Sequence, residues 1–375
     1  MVKIIHFHPE TKCNKGDMAI AMSIEDLLKE NIKVTKYTHC CIEDLKKMES
    51  PRIIDLTSKG PRGSKIVPMF FPFKHFYKFL RNKQVIGLIK KINNYDLLIM
   101  GGGGIYSDFF FPLDKKIISE VNIPIVIFSP GININLNAPQ LSEEVKESII
   151  YLNKKSRLSS VRDSNTKRVL NSWGLKTENI GDPAIHLKTK EDNLKLDRDK
   201  LKIGINFACH TKYSDNDNFN KLFDFYVNLI KRISKDNKIE LIYFQHHPKE
   251  KRLIKLFRKQ FPFMKVVDQE PRKLKNAYSK IDLMISMMLH STIFAFSNNI
   301  HFVNVAYNKK NNAFMEDIGQ KKNVIQMENL PDIEKFYKKL EKLLNVKNPH
   351  RRNKEKYTQK MNQFLVRLNQ QVSSK

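Results

Sequence analysis

The stretch Ile281–Tyr307, IDLMISMMLHSTIFAFSNNIHFVNVAY, decides the fold class of this chain. It contains a strand-like apolar run, IDLMISM, then a segment with helical character, LHSTIFAFS, and then a second strand-like run, HFVNVAY. Short continuous apolar runs that alternate with helices are typical of parallel sheets covered on both faces. We therefore predict an α/β fold, and the same alternation continues on both sides of this unit.

Strand-like runs such as VKIIHF, YDLLIM and IPIVIF alternate with helical patterns in the first half of the chain, and the pattern restarts at KIGINF. Between the halves lies a polar segment without periodicity, KTKEDNLKLDRDK, over residues 188–200. We predict an N-terminal Rossmann-like lobe over 1–187, a C-terminal Rossmann-like lobe over 201–345 and a helical tail over 346–375 that braces the first lobe. The ligand should bind in the cleft, at the carboxyl ends of the strands.

Composition narrows the class of protein. The chain has 375 residues, of which 41% are hydrophobic, which is enough for two cores and excludes global disorder. No run approaches the roughly 18 apolar residues of a membrane span, and the start MVKIIHFHPE lacks a secretory signal. Four cysteines in a chain of this length do not form a disulfide framework, so we expect a reducing, cytoplasmic location.

The net charge of +28 predicts an anionic partner, which is a nucleic acid, a membrane surface or a phosphorylated substrate. A nucleic-acid binder is the less favoured alternative, because the basic residues are scattered over both lobes without a recognition motif. The segment Phe70–Lys91 interleaves aromatic and basic residues. We interpret it either as an amphipathic helix packed on the first lobe or as a peripheral contact with the inner face of the plasma membrane.

Two features of the first lobe predict a ligand in the cleft. The first is Asn14-Lys15-Gly16-Asp17, between the first strand and the first helix, where Gly16 lets a ligand approach the free N–H groups of the helix. Asp17 would cap that helix or bind a sugar hydroxyl, and an ordinary helix start is the alternative. The second is the run Gly101–Gly104 after YDLLIM, in which Gly102 and Gly103 would bring backbone amides close to a bound group.

Further candidates end the next strands of this lobe. Gly131, in Pro130-Gly131, should line the same cleft. Arg162, in SSVRD, would clamp a carboxylate or phosphate with two hydrogen bonds, and an ion pair with Asp163 is the alternative. Asp182, in GDPAIHL, is better interpreted as part of the turn that closes the lobe.

In the second lobe, Leu289-His290-Ser291-Thr292 stands where a buried strand gives way to a helix. A helix start of this kind binds phosphate while the imidazole of His290 titrates within reach, although a structural histidine is the alternative. Lys309 and Lys310, after the following strand, would add positive charge to the same cleft.

His246-His247-Pro248 ends another strand of the second lobe. A metal site is not expected there, because no third ligand stands at a recognisable spacing. The pair would instead contact a phosphate at the corner between strand and helix.

In this order, these pieces resemble the polysaccharide pyruvyl transferase family, over about residues 4–320. The matching elements are Asn14-x-Gly16-Asp17, the glycine run, IPIVIFSPG, SSVRD, GDPAIHL, IGINF and MLHSTIFAFSNNIHFVNVAYNKKNNAFMEDIG. The resemblance implies two Rossmann-like lobes similar to those of the GT-B glycosyltransferases. It also implies a bacterial transferase of exopolysaccharide, capsule or lipopolysaccharide biosynthesis.

Members of this family move the pyruvyl group of phosphoenolpyruvate onto two hydroxyls of a sugar and form a cyclic ketal. By resemblance, Arg162 would bind the donor and His290 would act at the reacting end. We expect Leu289, Ser291, Lys310 and His247 to take part in donor binding as well. The family needs phosphoenolpyruvate as a co-substrate and no further cofactor or metal. The acceptor would be a glycan or a lipid-linked oligosaccharide.

Met288 departs from the family pattern, which has Arg-Leu-His where this chain has Met-Leu-His. The missing charge would have to come from Arg162, Lys309 or Lys310. In addition, Gln245-His246-His247-Pro248 looks like the His-Pro motif of bacterial sialyltransferases, which contacts the nucleotide of a CMP-sugar. A GT-B-like glycosyltransferase that uses a nucleotide sugar is therefore the alternative function.

Overall fold

The computed structural model describes residues 1–9, 13–41, 86–108, 111, 113–133, 141–208, 216–347 and 349–373. Two six-stranded parallel sheets with flanking helices form two lobes, which confirms the predicted α/β class. Most of the segment Phe70–Lys91 lies outside the described residues, so its membrane contact stays a prediction. None of the described helices is both long and apolar enough to cross a membrane.

The first lobe contains a sheet of strand order β2-β1-β3-β4-β5-β6. Its strands are β1 (Val2–His8), β2 (Val34–Cys41), β3 (Leu97–Gly101), β4 (Ile125–Phe128), β5 (Leu158–Val161) and β6 (Glu178–Asn179). Its helices are α1 (Lys15–Asn31), α2 (Lys115–Ser119), α3 (Glu143–Lys155) and α4 (Ser164–Ser172), followed by a 3₁₀ turn at Pro183–His186. The strand order reverses between β1 and β3, and such a switch point is where open α/β sheets bind ligands.

The second lobe contains a sheet of order β12-β11-β10-β7-β8-β9, which reverses between β7 and β10. Its strands are β7 (Leu201–Ile205), β8 (Ile239–Phe244), β9 (Lys265–Val267), β10 (Leu283–Ser286), β11 (His301–Ala306) and β12 (Val324–Gln326). Its helices are α5 (Asn216–Ile233), α6 (Lys251–Gln260), α7 (Pro271–Tyr278), α8 (Leu289–Ser297), α9 (Lys309–Asp317) and α10 (Ile333–Leu344), with 3₁₀ turns at Pro248–Glu250 and Lys321–Asn323. The stretch Ile281–Tyr307 forms the unit β10–α8–β11, and β10 and β11 pair in parallel as predicted.

Local sequence explains where several of these helices begin and end. Asn14 caps α1 by accepting a hydrogen bond from the Gly16 amide, and Asp163 caps α4 by accepting one from the Thr166 amide. Gly174, just after the end of α4, has a φ of +77°, and the following Leu175 amide donates to the Leu170 carbonyl. The starts of α1 and α4 therefore lie beyond the carboxyl ends of the strands that precede them, β1 and β5.

The last helix, α11 (Arg351–Ser373), lies across the first lobe. The ring of Phe364 packs edge-on against Phe128 with centroids 5.0 Å apart, and Tyr357 lies against Gly181. The chain therefore crosses from the second lobe back to the first, and this return ties the two lobes together.

The lobes are also joined by polar contacts. Arg272 of α7 forms two hydrogen bonds with the Asp26 carboxylate of α1, at 2.6 and 2.8 Å. The buried ammonium of Lys275 donates to the carbonyls of Ala184, Ile185 and Leu187. These contacts hold α7 of the second lobe against α1 and the 3₁₀ turn of the first.

Candidate functional site

The site lies where the two lobes face each other across the cleft. The start of α1 from the first lobe meets the start of α8 and the end of β8 from the second. A Cβ atom built on Gly16 would lie 1.8 Å from Nδ1 of His290, so the ring rests directly on the glycine backbone. Beside it, the Lys15 amide donates to the His246 carbonyl at 3.1 Å.

Lys15 reinforces this junction through its side chain. Its ammonium donates to the Gln245 carbonyl at 2.8 Å and forms an ion pair with Asp268 at 2.6 Å. Both partners belong to the second lobe. The first turn of α1 is therefore held by hydrogen bonds and an ion pair against the residues that follow β8 and β9.

His290 lies in the first turn of α8 and is 9% exposed. Its Nε2 is 3.9 Å from the Asp182 carboxylate and has no hydrogen-bond partner among the described residues. Burial lowers the pKa of His290 well below its usual range, and the charges of Arg162, His246 and Lys310 act in the same direction. The imidazole is therefore neutral at pH 7 and can accept a proton from a bound group.

Arg162 directly follows the end of β5, as predicted. Its side chain is buried, with 5% exposed. Its Nη1 lies 3.5 Å from Asp182 and its Nε 3.6 Å from Asp163, which makes both ion pairs long. Within the part of the chain that the structure describes, its buried Nη2 has no partner. Gly131 makes room for the guanidinium, because a Cβ there would lie 2.5 Å from Nη2. An unpaired, buried guanidinium nitrogen is a strong donor for an anionic ligand.

Asp182 lies between these two side chains and was not predicted as a site residue. Its Oδ1 accepts a hydrogen bond from the Ala184 amide, and its Oδ2 faces both Arg162 and His290. Burial raises the pKa of Asp182, while the nearby Arg162 charge and the Ala184 hydrogen bond oppose that rise. The sequence signal was Asp-Pro, which does form the predicted turn and also places the carboxylate in the cleft.

Lys310 adds a second cation at the start of α9. Burial and the charge of Arg162 lower its pKa to about 8, while Asp17 and Asp163 favour the charged form. The charges of Arg162, Asp17 and Asp163 therefore all act on the Lys310 ammonium, which belongs to the same site. With Arg162 and the starts of α8 and α9, it makes the site suitable for a small anion.

The glycine run shapes the wall of the cleft. Gly102 and Gly103 have positive φ values of 82° and 55°, which residues other than glycine rarely adopt. A Cβ on Gly102 would lie 2.4 Å from Ile20, and one on Gly103 would lie 2.9 Å from Asp17. The Gly102 amide already donates to the Phe128 carbonyl at 2.9 Å. The run therefore lets α1 approach the sheet and positions Asp17, whose carboxylate also accepts from Asn14 at 2.7 Å.

The sequence model of the family described as polysaccharide pyruvyl transferase matches residues 14–309. This range begins at the Asn14 cap of α1 and ends beside Lys310, so it includes both sides of the cleft. The chain belongs to the polysaccharide pyruvyl transferase family. A search of curated protein sequences finds no match.

Solved structures of similar fold are nucleotide-sugar enzymes. A UDP-N-acetylglucosamine 2-epimerase from Rickettsia bellii is 12% identical, with a TM-score of 0.58 over 100% of this chain and 98% of that one. The S. aureus MnaA–UDP structure is 13% identical, with a TM-score of 0.55 over 95% and 91% of the two chains. The Methanocaldococcus jannaschii UDP-GlcNAc 2-epimerase bound to UDP-GlcNAc and UDP is 14% identical, with a TM-score of 0.52 over 92% and 94%. At these identities the likeness shows the fold alone, and it confirms the predicted GT-B-like arrangement.

Met288, the departure from the pyruvyl transferase pattern, is buried in the second lobe. Its side chain belongs to the apolar cluster of that lobe, and its amide donates to Asn206 at 2.9 Å. The cations of the site instead come from Arg162 after β5 and Lys310 at the start of α9.

Three of the residues predicted to bind the family's donor are used within the protein itself. Leu289 is buried among apolar side chains, and the Ser291 hydroxyl accepts a hydrogen bond from Tyr278 at 2.8 Å. His247 caps the 3₁₀ turn after β8 by accepting from the Lys249 amide, and burial lowers its pKa. A direct contact of these side chains with a donor stays a prediction.

His246, which precedes His247, is among the groups that lower the pKa of His290. It is fully buried, its Nε2 donates to the Tyr278 hydroxyl at 2.7 Å, and its Nδ1 has no partner within the described ranges. Burial and the charge of Lys15 lower its pKa to about 3. The chain His246–Tyr278–Ser291 thus holds the start of α8 and with it the backbone of His290.

Proposed function

We propose that this protein transfers the pyruvyl group of phosphoenolpyruvate to two hydroxyls of a sugar in a cell-surface glycan and forms a cyclic ketal. One observation carries the proposal within the family. Two buried side-chain nitrogens, Arg162 Nη2 and His290 Nε2, are without a partner among the described residues, and both side chains face Asp182. An anion-binding group and a neutral base are thereby brought together.

The charges suit a donor that carries both a phosphate and a carboxylate. Arg162 offers its Nη2, which has no partner among the described residues, Lys310 adds a second cation, and the starts of α8 and α9 offer N–H groups. These groups replace the charge that Met288 lacks. The donor can therefore be held without the arginine of the family pattern.

The reaction requires proton transfer at two stages. A sugar hydroxyl oxygen bonds to C2 of the donor while C3 gains a proton, and the phosphate then leaves with the electrons of its C–O bond. The second hydroxyl closes the ketal at C2. Of the two hydroxyl protons, one balances the proton gained by C3 and the other leaves with the phosphate. His290, neutral at pH 7, is suited to accept a hydroxyl proton, and the negative charge of Asp182 would stabilise the imidazolium.

A donor assay tests this proposal. Phosphate release from phosphoenolpyruvate is measured with β-galactoside and hexosamine acceptors, beside CMP release from CMP-sialic acid. We expect phosphate release that depends on the acceptor and is lost in His290→Gln. His301→Gln, a half-buried histidine at the start of β11, serves as the matched control and should remain active. Release of CMP alone would overturn pyruvyl transfer in favour of glycosyl transfer.

We further propose that part of the +28 charge holds the protein at an anionic membrane, where lipid-linked acceptors are found. Only a few cations lie in the cleft, so most of the charge remains for another anionic surface. Co-sedimentation with anionic and neutral liposomes tests this, and we expect pelleting with anionic vesicles at low salt. The absence of pelleting under these conditions would contradict the membrane contact.

A further inference from the structure

Three histidines cluster in the first lobe, apart from the groups proposed to carry the transfer. His6 and His8 alternate on β1 and so share one face, and His39 of β2 pairs in register with His6. One ring nitrogen from each residue can be chosen so that all three lie within 4.8 Å of one another. His6 and His8 are buried, while the side chain of His39 is 39% exposed. A small ion could therefore reach the cluster from solvent.

Hydrogen bonds at the outer side of the rings show which nitrogen of each ring carries a hydrogen. Nδ1 of His8 lies 2.9 Å from the Pro9 carbonyl, and Nε2 of His39 lies 2.9 Å from the Glu25 carboxylate. Nε2 of His6 lies 3.3 Å from the Gly101 carbonyl. Carbonyls and carboxylates only accept hydrogen bonds, so each of these nitrogens carries the hydrogen.

A neutral imidazole has one N–H, so the other nitrogen of each ring presents a lone pair. Nε2 of His8 and Nδ1 of His39 are then two lone pairs facing each other at 3.1 Å. Such a pair requires a cation between the two nitrogens. Two nitrogens bound to one tetrahedral metal ion at 2.0–2.1 Å would lie about 3.3 Å apart, which is close to the observed separation.

We propose that His6, His8 and His39 bind a divalent late transition-metal ion such as Zn²⁺. Three imidazoles are ligands that such ions prefer, and the hydrogen bond from His39 to Glu25 is the outer contact that orients a metal-binding histidine. The Tyr37 hydroxyl, 2.8 Å from Nδ1 of His6, must turn aside when His6 coordinates. A proton shared between His8 and His39 is the competing explanation, and the experiment separates the two.

The position of the cluster indicates a structural role for the ion. It would join β1 to β2, and through Glu25 it would join both strands to α1. Pro9, which follows His8, lies against Gly103, since a Cβ on that glycine would be 2.7 Å from the proline ring. The ion would thus stiffen the wall of the cleft that positions Asp17, without taking part in the transfer.

The test uses the full-length protein without an affinity tag, stripped of metal with a chelator and then titrated with Zn²⁺ against a chromophoric indicator. We expect one equivalent to bind, and Co²⁺ in its place to give the intense visible absorption of a tetrahedral site. His39→Ala, which changes a half-exposed side chain and should fold, must abolish this binding. Glu25→Gln should weaken it by about 10–100-fold, and the control His301→Ala should leave it unchanged.

A second readout is the melting temperature, which Zn²⁺ should raise in the wild type but not in His39→Ala. Equal binding by wild type and His39→Ala would overturn the proposal. So would a wild type that binds no Zn²⁺ or Co²⁺ above the level of His39→Ala, which is the result that a shared proton predicts. None of these measurements depends on the transfer reaction, so the metal site and the proposed function can fail separately.

Discussion

The contact between Gly16 and His290 predicts that one added methyl group disables the site. In Gly16→Ala, the new Cβ would lie 1.8 Å from Nδ1 of His290 and 2.3 Å from its Cγ. Ordinary contacts begin at 3.4 Å, so the ring or the lobe must shift by 3.4 − 1.8 = 1.6 Å. The backbone itself is not strained, because Gly16 lies in the first turn of α1 with an ordinary φ.

The size of the effect follows from that displacement. His290 is 9% exposed and packed between the lobes, so the ring cannot simply turn into solvent. A misplacement of about 1 Å costs roughly 100-fold in rate, so kcat/KM should fall at least about 100-fold. This corresponds to a loss of about 2.7 kcal/mol of transition-state stabilisation.

The assay is a cycle of four proteins, namely wild type, Gly16→Ala, His290→Ala and the double variant. Phosphate release and denaturant unfolding are measured for each. In the wild-type background, the methyl group should destabilise the fold by about 1–3 kcal/mol through overpacking. The His290→Ala background lacks the three ring atoms nearest to the new methyl group, so the same change should stabilise the fold there by about 0.4–1 kcal/mol.

Gly87→Ala is the matched control, because a Cβ at this helical glycine meets no atom of the described residues within 4 Å. It should change stability equally in both backgrounds and leave activity intact. If Gly16→Ala has the same effect on stability with and without His290, the methyl group does not act through the ring and the reasoning is refuted. Full activity in Gly16→Ala would refute it as well.

Three further predictions concern the donor and the fold. Arg162→Lys keeps a positive charge but loses the free Nη2, so donor affinity measured by calorimetry should fall at least about 10-fold while the melting temperature stays within a few degrees. Donor binding should take up protons at pH 8, because an anion beside Lys310, whose pKa is lowered to about 8, raises that pKa again. Calorimetry in buffers of different ionisation enthalpy measures the uptake, which Lys310→Met should abolish. Lys275→Met removes the ammonium donor of three buried carbonyls, of which that of Ala184 still accepts from the Leu187 amide. It should lower the free energy of unfolding by about 2–4 kcal/mol, against less than about 0.5 kcal/mol for the half-buried Lys273 changed in the same way.

Each of these has a contrary outcome. Unchanged affinity in Arg162→Lys would show that the free nitrogen does not bind the donor. A binding enthalpy independent of the buffer would remove Lys310 from the donor site. Equal stability of the two lysine variants would mean that the carbonyls at the end of the first lobe find other partners.

Much of the fold and part of the candidate site could be predicted from local sequence. Continuous apolar runs predict buried parallel strands. The local sequence also predicts that Asn14 stands at a helix start and that Arg162 follows a strand, and both are found there. The histidines of the metal proposal were overlooked, although His6-x-His8 on a strand is a local signal for two rings on one face. Nothing near them in the sequence shows the third ring, because His39 reaches them through the pairing of β1 with β2.

Sequence alone therefore determined the two α/β lobes, their helix starts and the loops at the carboxyl ends of their strands. These properties depend on neighbours a few residues apart, through the periods of helices and strands. Tertiary structure alone decided that Gly16 touches His290, that Asp182 faces both Arg162 and His290, and that the candidate cations Arg162 and Lys310 lie on other elements than Met288. Those relations arise from the packing of two separately built lobes, so no spacing along the chain records them.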